Sequence, residues 1–187
     1  MDYDVLILFS GGADSLYCSE SAIQSGLNAF YLMIDYGQLH KEELKYAKKY
    51  LKNINKLHHT QTVEIKSLNI KSGLTTSDKA LYDNVHDMYV PSRNMMFTSI
   101  AASIAESMNI PLIWYGADLS DSENSFPDCK QDWIVKVNEL LKINGSKEIV
   151  LESPTLGIRK ETIIKSLKHS IGNNLNDFMY SGYGEFE

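Results

Sequence analysis

A chain of 187 residues suits one domain that buries roughly 70% of its unfolded surface, so no disulfide or metal staple is needed for stability. Its formal net charge of −6, from 18 basic and 24 acidic side chains with no long Lys/Arg run, argues against nonspecific nucleic-acid binding through phosphate neutralisation. Cys18 and Cys129 stand in no paired spacing, the amino terminus lacks a basic start, and no apolar run reaches the roughly 18 residues of a membrane span, which together predict a protein of the reducing cytoplasm.

Val5-Leu6-Ile7-Leu8-Phe9 is a continuous apolar run of strand length that stops at Ser10-Gly11-Gly12. A helix-like pattern begins straight afterwards, which puts the bend at the carboxyl end of a buried strand. Glycines there permit positive φ and let backbone N–H groups approach an anion, while the next helix aims its unpaired N–H groups and about half a positive charge at the same point. Ser10 and Ser15 add hydroxyl groups. No Gly-Lys-Ser/Thr follows, so the turn is not a Walker loop.

The first helix is predicted over 15–25, with Gly26 placed to end it. Residues 28–34 read as a second buried strand that stops at Asp35-Tyr36-Gly37-Gln38. Leu44, Ala47, Leu51 and Ile54 then mark an amphipathic helix over about 41–53 with a Lys-rich, solvated outer face. A weakly alternating third strand occupies 59–65. The polar stretch from 66 to about 90 is long for a compact domain, and reads either as a lid or binding loop or as disordered chain.

Val90-Pro91-Ser92-Arg93-Asn94 closes that stretch at the start of a helix carried by Phe97, Ile100, Ala101, Ile104 and Met108. A fourth strand over 110–115 ends in Gly116. The acidic segment 117–128 has too little apolar content to fold alone and is a third candidate site loop. A helix over 131–143 turns Ile134, Val137, Leu140 and Leu141 inward. A short strand at 148–152 leads to Ser153-Pro154, and a last helix over 159–169 runs through Ile163, Ile164 and Leu167. The tail from Phe178 is aromatic and Gly-rich without a period. No repeat or linker divides the chain, so residues 1–187 are read as a single domain.

Five strands alternating with helices predict an α/β fold, a five-stranded parallel, doubly wound sheet with right-handed crossovers. With strand order 3-2-1-4-5, the first and fourth strands flank the switch point and the three turn motifs meet in one cleft.

Phe9-Ser10-Gly11-Gly12-Ala13-Asp14-Ser15, Asp35-Tyr36-Gly37-Gln38-Leu39-His40, Val90-Pro91-Ser92-Arg93-Asn94, Phe126-Pro127-Asp128-Cys129-Lys130 and Ser153-Pro154 with Lys160-Glu161 occur in an order similar to one family. This set resembles the 7-cyano-7-deazaguanine synthases of queuosine biosynthesis. These are PP-loop ATP pyrophosphatases with an adenine nucleotide alpha hydrolase-like fold. The resemblance implies conversion of 7-carboxy-7-deazaguanine and ammonia to a nitrile through an adenylated carboxylate, with ATP and Mg²⁺ required and AMP and pyrophosphate released. It implies that Phe9, Ser10, Gly11, Gly12, Asp14 and Ser15 hold the triphosphate and Mg²⁺, with Asp35 and Gly116 completing the nucleotide site.

The same resemblance assigns Tyr36, Gln38, His40, Arg93, Asn94, Asp118, Ser120, Asp121, Phe126 and Asp128 to the deazapurine. Asp14, Arg93 and Lys160 become the catalytic set, the two cations compensating phosphate charge in the transition state. It further implies a homodimer, with no direct nucleic-acid contact and no membrane. The family's carboxyl-terminal group of four zinc-binding cysteines has no counterpart after Cys129, and His58, His59, His86 and His169 offer no ligand set, so no structural zinc is expected.

Blander readings stay open for single residues. Arg93 and Lys160 could form surface ion pairs, Asp35 a strand-end cap, and the acidic loop a solvated one. Cys18 reads as core, Cys129 as a contact residue, and His40 either as a proton shuttle or as a structural hydrogen-bonding group. Rival functions are a tRNA sulfurtransferase, which would need a persulfide-carrying cysteine or a cluster, a zinc-less paralogue serving another acceptor, and a noncatalytic nucleotide-binding protein.

Overall fold

The computed structural model describes residues 2–38, 42–65, 90–123, 126–145 and 148–180. Strands β1 (Val5–Leu8), β2 (Ala29–Asp35), β3 (Thr60–Glu64), β4 (Leu112–Trp114) and β5 (Val150–Glu152) form one all-parallel sheet in the order β3-β2-β1-β4-β5, as the motif order predicts. The central strands β1 and β2 are apolar almost throughout because helices cover both faces, the burial that a parallel sheet requires.

Alternation along the strands sorts the core into two layers. Leu6, Leu32, Ile34, Ile113 and Leu151 point to one face, where they meet Ala101 and Ala105 of α3 (Arg93–Met108) and Ile134 and Val137 of α5 (Gln131–Ile143). Val5, Ile7, Tyr31 and Met33 point to the other. There they meet Leu16 and Ala22 of α1 (Ala13–Gln24), Ala47 and Leu51 of α2 (Glu42–Asn53) and Ile163 and Leu167 of α6 (Lys160–Ile171).

Several local readings are corrected. Helix α1 begins at Ala13 rather than Ser15, because Gly12, in an extended conformation, takes the N-cap position. Leu140 is 47% exposed rather than inward. Ile134, Val137 and Leu141 already fill the inner line of α5, and Leu140 is rotated about 100° from Leu141. The acidic segment is not plain loop, since it contains the single-turn α4 (Leu119–Glu123) and a 3-10 turn at Pro127–Cys129. Beyond α6, a 3-10 turn at Gly172–Asn174 leads to α7 (Leu175–Phe178), whose Phe178 ring packs edge-on against Tyr50 of α2. The expected lid or binding loop up to residue 89, His40, and the tail past residue 180 lie outside the described residues. Among the described residues no helix is long and apolar enough to cross a membrane.

Candidate functional site

The turn after β1 is held open by its own hydroxyls. Ser15 Oγ accepts from the Gly11 N–H at 3.0 Å and donates to the Gly12 carbonyl at 2.9 Å, and Ser10 Oγ accepts from the Gly12 N–H at 3.2 Å. Gly11 sits at φ +89°, where a Cβ would come within 2.8 Å of the Glu43 carbonyl oxygen, so only glycine lets the turn lie against α2. No side chain caps Gly12, and the first intrahelical bond is Leu16 N–H to the Gly12 carbonyl at 3.0 Å. The N–H groups of residues 13–15 therefore precede the helical ladder at the positive end of a 12-residue helix, the arrangement that binds phosphates. Phe9 does not face this turn: its ring packs on Tyr31 and Tyr50 in the core, and its N–H donates to the Leu32 carbonyl.

Beside the turn, three carboxylates and one ammonium converge from three separate stretches, α1, the acidic segment and the start of α6. Lys160, the first residue of α6, places Nζ 2.6 Å from Asp14 Oδ2 and 2.6 Å from Asp118 Oδ2. Asp14, Asp118 and Asp121 each offer a carboxylate oxygen within 4.8 Å of the others, a spacing that suits a divalent cation. Asp14 Oδ1 is buried with no hydrogen-bond partner among the described residues, so the cluster has an acceptor to spare. Asp118 is fully buried, and its Oδ1 accepts from the Ser120 hydroxyl and from the Asp121 N–H at 3.1 Å.

Burial raises the Asp14 carboxyl despite Lys160. It also works to raise Asp118, but Lys160 and Ser120 together hold that group below its ordinary value. Burial, aided by Asp118 and Asp14, pushes Asp121 up to about 6. Lys160 is disfavoured by burial, yet the two carboxylates outweigh this and keep it charged.

Three contacts position the cluster. A Cβ on Gly116 would lie 2.4 Å from Asp14 Cβ, so glycine at the end of β4 admits the first turn of α1. Thr155, buried after β5, accepts the Ala117 N–H at 2.8 Å, and the Ile158 carbonyl accepts the Leu119 N–H at 2.9 Å.

The opposite wall comes from the ends of β2 and α3. Asp35 Oδ1 accepts from Gly37 N–H at 3.1 Å and Gln38 Oε1 from Tyr36 N–H at 3.0 Å, so the motif's polar side chains close its own turn. Arg93 donates to the Tyr36 hydroxyl at 3.3 Å. Burial disfavours its charge, but Tyr36, Asp128 and Cys129 more than compensate. Asn94, next in α3, is half-buried. Asp128 is buried with its carbonyl accepting from the Tyr115 hydroxyl at 2.9 Å, and Phe126 packs half-buried on the α3–α5 layer. Burial, with Asp121 and Asp128, drives the Cys129 thiol far above its ordinary value.

Two groups thus form: the phosphate-type turn with Asp14, Asp118, Ser120, Asp121 and Lys160, and the Tyr36–Arg93–Asp128 wall. Sequence reading missed Thr155 and Glu43. A Ser-Pro-Thr string after a strand was the available signal for the first. Glu43 was hidden in the charged face assigned to solvent, but it is half-buried in the first turn of α2. Its carboxyl is pushed up to about 7 by burial, and Arg93 pulls it back only in part.

Comparison with known proteins places this geometry in context. A family model described as "Queuosine biosynthesis protein QueC" matches residues 4–183. A protein named 7-cyano-7-deazaguanine synthase from Marinomonas sp. is 31% identical over 94% of this chain and 81% of its own length. A protein of the same name from Psychromonas ingrahamii is 29% identical over 88% of the chain and 77% of its own length. Among solved structures, the U34-tRNA thiolase NcsA from Methanococcus maripaludis, described with its [4Fe-4S] cluster, superposes with a TM-score of 0.62 at 14% identity, over 99% of this chain but 61% of that one. At that identity the likeness shows a shared fold alone.

Proposed function

The chain belongs to the QueC family of queuosine biosynthesis proteins, and on that premise we propose that it is an ATP-dependent ligase making 7-cyano-7-deazaguanine from 7-carboxy-7-deazaguanine and ammonia, with release of AMP and pyrophosphate. The observation that carries this reading is the uncapped amino terminus of α1 behind Gly11 and Gly12, flanked by a lysine shared between two carboxylates. A carboxylate is a poor electrophile because hydroxide or oxide must leave. ATP with Mg²⁺, when bound, supplies AMP as the leaving group and neutralises phosphate charge.

This chain's residues meet that need in a definite way. The N–H groups of residues 13–15, at the helix end that the glycine turn leaves open, bind the outer phosphates, and Asp14, Asp118 and Asp121 fit a divalent cation. Lys160 and Arg93 stabilise charge developing on the phosphates. Tyr36, Asp128 and Phe126 line the wall where a planar, donor-rich deazapurine would lie. A thiolate zinc centre does not fit the described residues. Cys18 and Cys129 lie on opposite faces of the sheet, and burial raises both thiols. The enzyme is read as a cytoplasmic homodimer acting on small molecules.

The test is incubation with ATP, Mg²⁺, ammonium and 7-carboxy-7-deazaguanine, following AMP, pyrophosphate and nitrile by mass spectrometry. Formation of all three supports the proposal. AMP without nitrile points to a different acceptor, and ATP binding without AMP to a noncatalytic protein.

A further inference from the structure

We infer that Lys160 and a divalent cation are alternative occupants of the acidic cluster, so that the metal enters only together with a triphosphate that draws Lys160 away; this deepens the ligase reading above and rests on it. Asp118, fully buried, has two carboxylate oxygens to offer. Its Oδ1 already accepts from the Ser120 hydroxyl and from the Asp121 N–H at 3.1 Å. Its Oδ2 meets Lys160 Nζ at 2.6 Å, and the same ammonium lies 2.6 Å from Asp14 Oδ2. Carboxylate oxygens of Asp14, Asp118 and Asp121 lie within 4.8 Å of one another, close enough for one cation to touch all three. Lys160 therefore stands on the acceptor that such a cation needs from Asp118. Mg²⁺ binds a carboxylate oxygen at about 2.0–2.1 Å, so sharing Oδ2 would bring the two cations within about 5 Å of each other, in a partly buried place where their repulsion is weakly screened.

Lys160 is placed to give way. It is the first residue of α6, where the positive end of the helix dipole disfavours an ammonium, so the two carboxylates rather than its own helix hold it there. Its side chain is 30% exposed and hangs on a flexible four-carbon stem. Asp14 belongs to the first turn of α1, which sets the ammonium beside the N–H groups of residues 13–15. A triphosphate on those N–H groups offers Lys160 new anionic oxygens, and Asp14 and Asp118 then pass to the accompanying metal. With no triphosphate, Lys160 neutralises the buried Asp118, which is never left bare. The exchange keeps the cluster compensated in both states and bars a divalent cation from settling there ahead of its nucleotide.

The experiment measures Mn²⁺ binding by electron paramagnetic resonance, without nucleotide, for wild type, Lys160→Arg and Lys160→Met. Removing the competing ammonium should make Lys160→Met bind one Mn²⁺ about 10-fold more tightly than wild type, and adding Asp118→Asn should abolish the gain. Lys160→Arg, which keeps the charge, should behave as wild type does. A second measurement, on isotope-labelled wild type, decides the matter even if Lys160→Met fails to fold. The Lys160 ammonium resonance, assigned with Lys160→Arg, should stay in place with Mg²⁺ alone and move when Mg²⁺ and α,β-methylene-ATP are added together. Equal Mn²⁺ affinity in folded Lys160→Met and wild type, or a resonance that the Mg²⁺–nucleotide pair leaves unmoved, overturns the inference, and the functional reading stands if wild type still releases AMP and pyrophosphate. A wild-type chain that binds no α,β-methylene-ATP overturns that reading and the inference together.

Discussion

At Lys160 one ammonium serves two carboxylates, each at 2.6 Å, and Asp118 is fully buried. Lys160→Met would leave both acids without their cation. The expected cost is about 3 kcal/mol in urea denaturation, with AMP formation down at least 10²-fold. Lys136→Ala, which removes an exposed pair with Glu139, should leave the midpoint where it is.

Asp121 and Glu43 add a pH dependence of definite sign. Their carboxyls sit at about 6 and about 7, against ordinary values of 3.8 and 4.5. Between roughly pH 4 and 7 the folded chain thus holds protons that the unfolded chain has lost, so these groups make stability fall as pH rises through that window. Asp118, held down by Lys160, works oppositely and gives stability that is lost only as pH falls below the ordinary carboxylate range. Asp121→Asn should flatten the fall and raise Tm at pH 8 by about 2–4 °C, as measured by calorimetry.

The sequence shows Asp14, Asp118, Asp121 and Lys160 as members of separate motifs. It does not show that Lys160 binds Asp14, because that pair spans 146 positions and exists only once the sheet order is set. Glu42 and Glu43 are likewise indistinguishable in a charged helical face, though one is solvated and the other half-buried.

Helix α1 shows how element boundaries depend on contacts made elsewhere. Its first turn rests on the end of β4 through Gly116, so Gly116→Ala must push Asp14 and the phosphate-type turn off their positions. The expected result is a loss of about 1–3 kcal/mol together with weakened ATP binding by calorimetry. Gly26→Ala makes the contrast, since a Cβ there meets nothing within 4 Å and only the φ of +70° is strained. Stability should fall by about 1–2 kcal/mol with ATP binding unchanged.

The acidic segment reads as loop in the sequence because it carries too few apolar residues to fold alone. What folds it is the Thr155 hydroxyl and the Ile158 carbonyl, groups more than 35 positions away. Such nonlocal bonds leave no trace in periodicity. The amphipathic line of α5 was legible, and only Leu140, at its flank, was misplaced.

The sheet order was legible because β1 and β2 are unbroken apolar runs joined by helical crossovers, which leave few topologies open. The edge strands were weaker signals, for β3 and β5 present mostly solvent-facing side chains. The two-faced core also fixes the fate of the thiols. Cys18 and Cys129 are buried on opposite faces with raised thiols, so the native protein should resist iodoacetamide at neutral pH and label at both sites only in denaturant. Rapid labelling of native Cys129 would instead favour a thiol-carrier chemistry.

The whole architecture presents a phosphate-type turn, an acidic cluster and two cations at one end of the sheet, and the account requires that the innermost phosphorus of ATP be the one attacked. Turnover of ATP labelled at the α-phosphate, in the presence of 7-carboxy-7-deazaguanine, tests this most directly. Labelled AMP with one pyrophosphate per activation is the predicted result, and ADP with orthophosphate would contradict it.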